Sequence, residues 1–166
     1  MNIHDLHILY DYNYWATGQV LSSASNLTQD QLSVQSSMAF GSILGTLTHI
    51  LNAEWIWRMR SQKKISPTSM LLEGRITDLE SLKSTWLEEE AEMRAYLKEL
   101  ETGDLEKVVT YKRMMGQDQE NILWHILVHV VNHGTQHRAE VASVVTELGY
   151  SPGDLDFIIY MRNKSK

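Results

Sequence analysis

The sequence predicts an all-α protein: a four-helix bundle with a long crossover connection and a short hairpin or extended segment before its last helix. Three observations point there. Only two prolines occur, Pro67 and Pro152, and both lie outside the stretches of regular apolar spacing. Four long stretches repeat apolar residues at helical intervals, as helices packed on neighbours do. Capping signals mark several of the ends of those stretches. The whole chain, 1–166, reads as one domain.

The first helix is expected from about Ile3 to Ser23, with Tyr10, Tyr14 and Trp15 in a single aromatic patch. Thr28 with Gln31 three residues on has capping-box spacing and predicts a short helical turn. The second long helix is placed from near Ser42 to about Arg60. Its apolar residues spread around the whole circumference, as a central helix requires. "SQKKISPTSMLLEGRI" lacks periodicity and contains Pro67 and Gly74, which makes it a loop. Thr77 and Glu80 have capping-box spacing and open a third long helix to about Glu101. Its stripe is Leu79, Leu82, Trp86, Met93, Leu97 and Leu100, and Gly103 is read as its stop. "EKVVTYKRMMGQDQE" has β-branched residues and a glycine, the mark of a hairpin or an extended crossover. The last helix is expected from about Asn121 to Leu148, closed by Gly149, with Pro152 beyond it.

Composition excludes several function classes. Fifteen Lys and Arg against twenty-one Asp and Glu give a net charge of −6, and the cations are scattered, so phosphate-backbone affinity has no source and nucleic acid is not an expected partner. Acidic and polar residues interrupt each apolar run of the opening MNIHDLHILYDYN, so neither a signal peptide nor a membrane span is expected there, and the expected location is the cytoplasm. The absence of cysteine excludes disulfides, thiolate ligands and a cysteine nucleophile of the chain's own, so any thiol chemistry needs a thiol from outside. The "NLT" at Asn26 is read as a chance match to a glycosylation sequon.

The chemistry-bearing feature is a ladder, His125, His129, His133 and His137, at four-residue intervals in the last helix. At about 100° per residue, Leu123, Ile126, Leu127, Val130, Val141, Val144, Val145 and Leu148 cluster within roughly 60° of Leu123 and define the buried face. From that direction His137 lies about 40° away, His133 about 80°, His129 about 120° and His125 about 160°, so the ladder spirals out of the core. Imidazoles four residues apart are about 6 Å apart along the axis and can aim at one ion, which makes His133 and His137 the candidate pair. A histidine on an apolar face is more often a hydrogen-bonded core residue. A metal also needs a third ligand from a facing helix. His4 and His7 sit at the chain start. His49 is in mid helix, with Gly45 and Ala53 four residues to either side, where small residues let another backbone approach. Leu47 lies about 200° from His49, so periodicity leaves its direction open. No Glu has a histidine three residues later, which excludes the di-iron pattern, and no HExxH helix, phosphate loop or nucleophile elbow occurs.

Three segments together resemble the DinB/YfiT-like family of metal-binding four-helix-bundle proteins. They are "YNYWA" at Tyr12 to Ala16, "GSILGTLTHILNAEWIW" with its His-x-x-x-x-Glu-x-x-Trp ending, and "LVHVVNHGTQHRAE", which is similar to an H-x-x-N-H-x-x-x-H-R-G-Q motif. The tail "DLDFIIYMR" also fits, and the resemblance covers nearly the whole chain. It departs at Ala139 and Glu140, where the family more often has Gly and Gln.

The resemblance implies a divalent metal ion, zinc, nickel or similar, held by His49, His133 and His137. Three protein ligands leave a position for water or substrate, the open arrangement of catalytic sites. Relatives in the superfamily include thiol-dependent transferases, which implies a metal-dependent transferase, with a hydrolase also chemically accessible. A low-molecular-weight thiol and an electrophilic small molecule are the expected partners, and the protein is expected to be a homodimer. The alternative is a non-catalytic metal-binding or stress-response module in which the ion ties helices together. No catalytic residue is nominated. Asn52, Glu54 and Asn132 are candidates to orient an imidazole, Glu140 is read as solvated, His125 as facing away, and His129 as a structural hydrogen-bond donor.

Overall fold

A computed structural model describes residues 1–69, 75–113 and 116–164. Among them the chain is mostly helical, with one two-stranded sheet. Helix α1 runs Ile3–Ala24 and α2 Gln29–Ser33. Helix α3 runs Ile43–Arg58 and continues into a π-helical turn, Met59–Lys63. Helix α4 is Leu79–Glu99, followed by a 3-10 turn at Thr102–Glu106. Strands β1, Val108–Lys112, and β2, Asp118–Ile122, pair antiparallel, with Val108 opposite Ile122 and Lys112 opposite Asp118. Helix α5 is Leu123–Glu147 and α6 Phe157–Lys164. No helix among the described residues is long and apolar enough to cross a membrane.

Local chemistry explains the boundaries. Thr28 and Gln31 close the expected capping box on α2, and the Ser42 side chain caps α3 by accepting from the Gly45 N–H. The box that opens α4 is one residue later than expected. Asp78, whose carboxylate accepts from the Ser81 N–H at 2.8 Å, is the cap, while Glu80 pairs outside with Lys83. A carboxylate is a stronger acceptor at the positive end of a helix than the neighbouring threonine hydroxyl. Gly103 does not stop α4. The chain turns extended at Leu100, and Gly103 lies within the following 3-10 turn. Asn121 belongs to β2 rather than α5. Gly149 behaves as expected: at φ +91° it closes a Schellman motif, with Tyr150 N–H on the Val145 carbonyl and Gly149 N–H on that of Thr146. Gly74 and residues 114–115 of the expected loop and hairpin lie outside the described residues.

Helix α1 packs on α4, α5 and α6, and α3 packs on α2, α4 and α5. The core forms two apolar clusters. One joins Leu6, Tyr10, Met93, Leu97, Leu123 and Leu127, and the other joins Val20, Leu47, Leu51, Leu82, Trp86 and Val141. The long helices also bury a set of polar residues: Asn13 and Thr17 of α1, Glu54 and Arg58 of α3, Glu89 of α4 and Arg138 of α5, the last two lying between the two clusters along their helices. Arg58 and Glu89 form a two-pronged ion pair with both contacts at 2.6 Å. Arg138 donates to Asn13 Oδ1 at 2.5 Å and to Thr17. Gly134 is required here, because a Cβ at that position would meet the Arg138 guanidinium at 2.7 Å and Asn13 at 3.0 Å. The expected single aromatic patch on α1 divides. Tyr10 and Tyr14 are buried, while Trp15, about 100° further round, joins Tyr12 and Tyr160 of α6.

Candidate metal centre

Helices α3 and α5 pack against each other, and their packing settles the direction that periodicity left open: His49 faces α5. One nitrogen from each of His49, His133 and His137 lies within 4.8 Å of the others, and these three form a group that could hold a metal ion among the described residues. The ring centroids of His49 stand 4.8 Å from those of His133 and 5.0 Å from those of His137, and the two α5 rings are 4.6 Å apart. His49 Nε2 and His133 Nε2 are 2.9 Å apart, a hydrogen bond in which one ring donates to the lone pair of the other. Burial, with the neighbouring imidazoles, lowers the pKa of His133 to about 4, and burial followed by His137 lowers that of His49 to about 4. Both rings are therefore neutral near pH 7, the form that ligates a metal.

The outward spiral of the ladder also appears. His137 is buried, His133 is half-buried, and His129 and His125 are exposed. Among the described residues His129, expected as a hydrogen-bond donor, makes no hydrogen bond and has ring contacts instead, 5.6 Å to Trp57 and 5.6 Å to His133, because its outward position gives it aromatic neighbours.

The groups around the imidazoles differ from those expected. Asn132 is exposed. Asn52 is buried with Oδ1 unpartnered. Glu54 turns away to accept a hydrogen bond from the Tyr14 hydroxyl. The carboxylate beside the cluster is Glu140, which is not freely solvated. Its Oε1 is 3.2 Å from His137 Nδ1, within ion-pair distance although off hydrogen-bonding angle, and its Oε2 is buried without a partner. The cause is helical: residues three apart share a face. Nδ1 of His137 thus faces Glu140, which leaves Nε2 for an ion.

Phe40 was not nominated by the sequence. Its ring lies stacked on His49, centroids 3.4 Å apart at 15°, and edge-on to His137 at 5.3 Å. The chain reaches this position through Gly41 at φ +78° and the Ser42 cap. Gly45 permits it, since a Cβ there would overlap the Phe40 carbonyl oxygen. The close backbone approach expected at this small residue is made by the loop that precedes its own helix. An aromatic two residues before a helix cap, with glycine between, was the available signal.

The residues fit a divalent ion. A tetrahedral ion with nitrogens about 2.0–2.1 Å away separates them by roughly 3.4 Å, so small ring rotations suffice. The imidazole with a carboxylate behind it is the arrangement that orients metal-bound histidines. The fold and the site define a mostly helical protein with a three-histidine candidate metal centre between two helices. The chain belongs to the DinB family, whose sequence model matches residues 1–165. It is similar to the protein DinB of Bacillus subtilis (strain 168), at 24% identity over 159 residues that cover 92% of this chain and 91% of that one.

Proposed function

We propose that this protein is a divalent-metal-binding DinB-family member, a single-domain four-helix bundle in which His49, His133 and His137 hold the ion, zinc or nickel, and that it acts as a metal-dependent transferase. The observation that carries the reading is the convergence of three imidazoles from two helices within 4.8 Å. A bound ion would supply Lewis acidity, lowering the pKa of a thiol or water at its remaining position. The chain's own residues do the rest. Glu140 stands against the Nδ1 side of the His137 ring, burial keeps His49 and His133 unprotonated, and Phe40 shields one face of His49 from water. In the transfer, the sulfur of a small external thiol forms a bond to an electrophilic carbon. The leaving group departs with its electron pair, and the thiol proton goes to solvent. A cytoplasmic location and a homodimer belong to the same reading.

One observation favours a second reading. Phe40 stacked directly on a ligand and the close His49 to His133 contact suit an ion that ties α3 to α5 without turnover. A thiol-consumption screen with electrophiles, run on protein loaded with zinc or nickel, separates the two. Turnover that His133→Ala abolishes supports the transferase. Metal uptake without turnover of any electrophile supports the structural module.

A further inference from the structure

The geometry points to a second binding site beside the histidine cluster: a subsite for a small planar, aromatic or conjugated molecule bearing a carboxylate or carbonyl at its edge. It is a pocket of about 260 Å³ lined by Trp57, Tyr111, Asn121, His125, Ile126 and His129. Its walls are aromatic and held in place. Trp57 stands edge-to-face with Tyr111 at 5.0 Å and 80°, and with His129 at 5.6 Å and 79°. Perpendicular rings leave slots that suit a flat guest, which gains edge and face contacts together.

The frame behind these walls is cationic. The Arg60 guanidinium lies 4.7 Å from the ring centroids of both Trp57 and Tyr111 and is buried, with only 7% of the residue exposed. Its Nη2 donates to the Lys112 carbonyl at 3.2 Å, and its Nε has no partner. The π-helical turn at Met59–Lys63 carries Arg60, and such turns commonly re-aim side chains at functional sites. Among the described residues this buried guanidinium pairs with no carboxylate, which favours an electron-rich guest.

The polar edge is made of donors. The Tyr111 hydroxyl donates to Asn121 Oδ1 at 2.8 Å, which fixes the amide so that its NH2 remains to donate. His125 and His129 line the same pocket, and an imidazole carries at least one N–H. Donors on one side and rings on the other select a flat acceptor-bearing molecule over an aliphatic one. The His129 ring is 5.6 Å from that of His133, so a guest here adjoins the candidate metal centre. As the seat of the electrophile, the subsite rests on the function proposed above, whereas its binding does not.

The test uses 4-fluorobenzoate as probe, followed by 19F NMR on the full chain. In excess chelator the probe is expected to bind, cyclohexanecarboxylate to compete at least about tenfold more weakly, and Asn121→Ala and Trp57→Leu each to weaken binding at least about tenfold. Asn121 is exposed, so its variant keeps the test valid if Trp57→Leu fails to fold. Binding that vanishes in chelator would show a ligand of the ion instead and overturn the proposal, as would equal affinity for the cyclohexane acid. Loading with paramagnetic nickel should then broaden the bound 19F signal. Measured nickel uptake without broadening overturns the placement beside the centre. Absence of nickel uptake refutes the metal reading, while the affinities in chelator continue to decide the subsite.

Discussion

Glu54→Gln should reverse part of the pH dependence of stability. Glu54 is 1% exposed, with one oxygen accepting from Tyr14 and the other unpartnered. Burial, the largest cause, raises its pKa from 4.5 to about 7, against the opposing Tyr14 hydrogen bond. A carboxyl whose pKa is raised in the folded state contributes stability that is fully present below pH 4.5 and is lost as pH climbs through about 7. At about 1.4 kcal/mol per unit, that interval amounts to roughly 3 kcal/mol. Glutamine keeps the acceptor for Tyr14 and cannot ionise, and its extra amide donor adds a penalty of about 1–3 kcal/mol that does not vary with pH. His49 and His133 slope the other way. Their lowered pKa values give stability that is present above pH 6.5 and lost as pH falls toward about 4, but both proteins share this, so it cancels in the difference. Urea unfolding of both proteins in chelator at several pH values between 4.5 and 9 measures that difference. The variant should gain on the wild type by roughly 3 kcal/mol across the range. Parallel stability curves, or a variant that loses ground as pH rises, would refute the assignment of a protonated buried carboxyl.

Other substitutions probe the centre and its frame. Gly45→Ala should displace the Phe40 loop through the clash with its carbonyl and cost about 1–3 kcal/mol in urea unfolding, and unchanged stability would contradict the close approach. Glu140→Gln should weaken metal binding about ten- to a hundredfold in competition with a chromophoric chelator, and an unchanged affinity would show that the carboxylate does not hold His137. Glu89→Ala leaves the buried Arg58 guanidinium without its main partner and should cost about 3–5 kcal/mol, whereas a near-neutral melt would show that Glu92 and Gln62 suffice.

The parts of this structure legible beforehand are those governed by helical phase. The angular positions of the α5 histidines followed from counting residues against a clear apolar stripe, and the buried, half-buried and exposed order matches. Helix α3 gave no such guide. Apolar on all sides, it leaves the direction of His49 to be set by which neighbours it packs against. Glu140 was readable as a residue three positions after His137, yet its chemical type suggested solvent. Phe40 was hidden because a loop without periodicity encodes its path through a single positive-φ glycine. The π-helical turn leaves the apolar pattern almost unchanged while shifting the hydrogen-bond register, so Arg60 entered the sequence reading only as the approximate end of the second long helix. Helix α6 was not expected; its aromatic packing of Phe157 and Tyr160 on Tyr12 stabilises eight residues too few to persist alone.

The central claim is that three imidazoles hold one ion. Elemental analysis of the purified wild type and of His49→Ala, His133→Ala, His137→Ala and His125→Ala, each equilibrated with zinc or nickel and desalted, tests it most directly. The account predicts about one ion per chain for the wild type and His125→Ala, and loss of tightly held metal in each of the other three. Full retention in the His49 variant, or loss caused by His125→Ala alone, would contradict it.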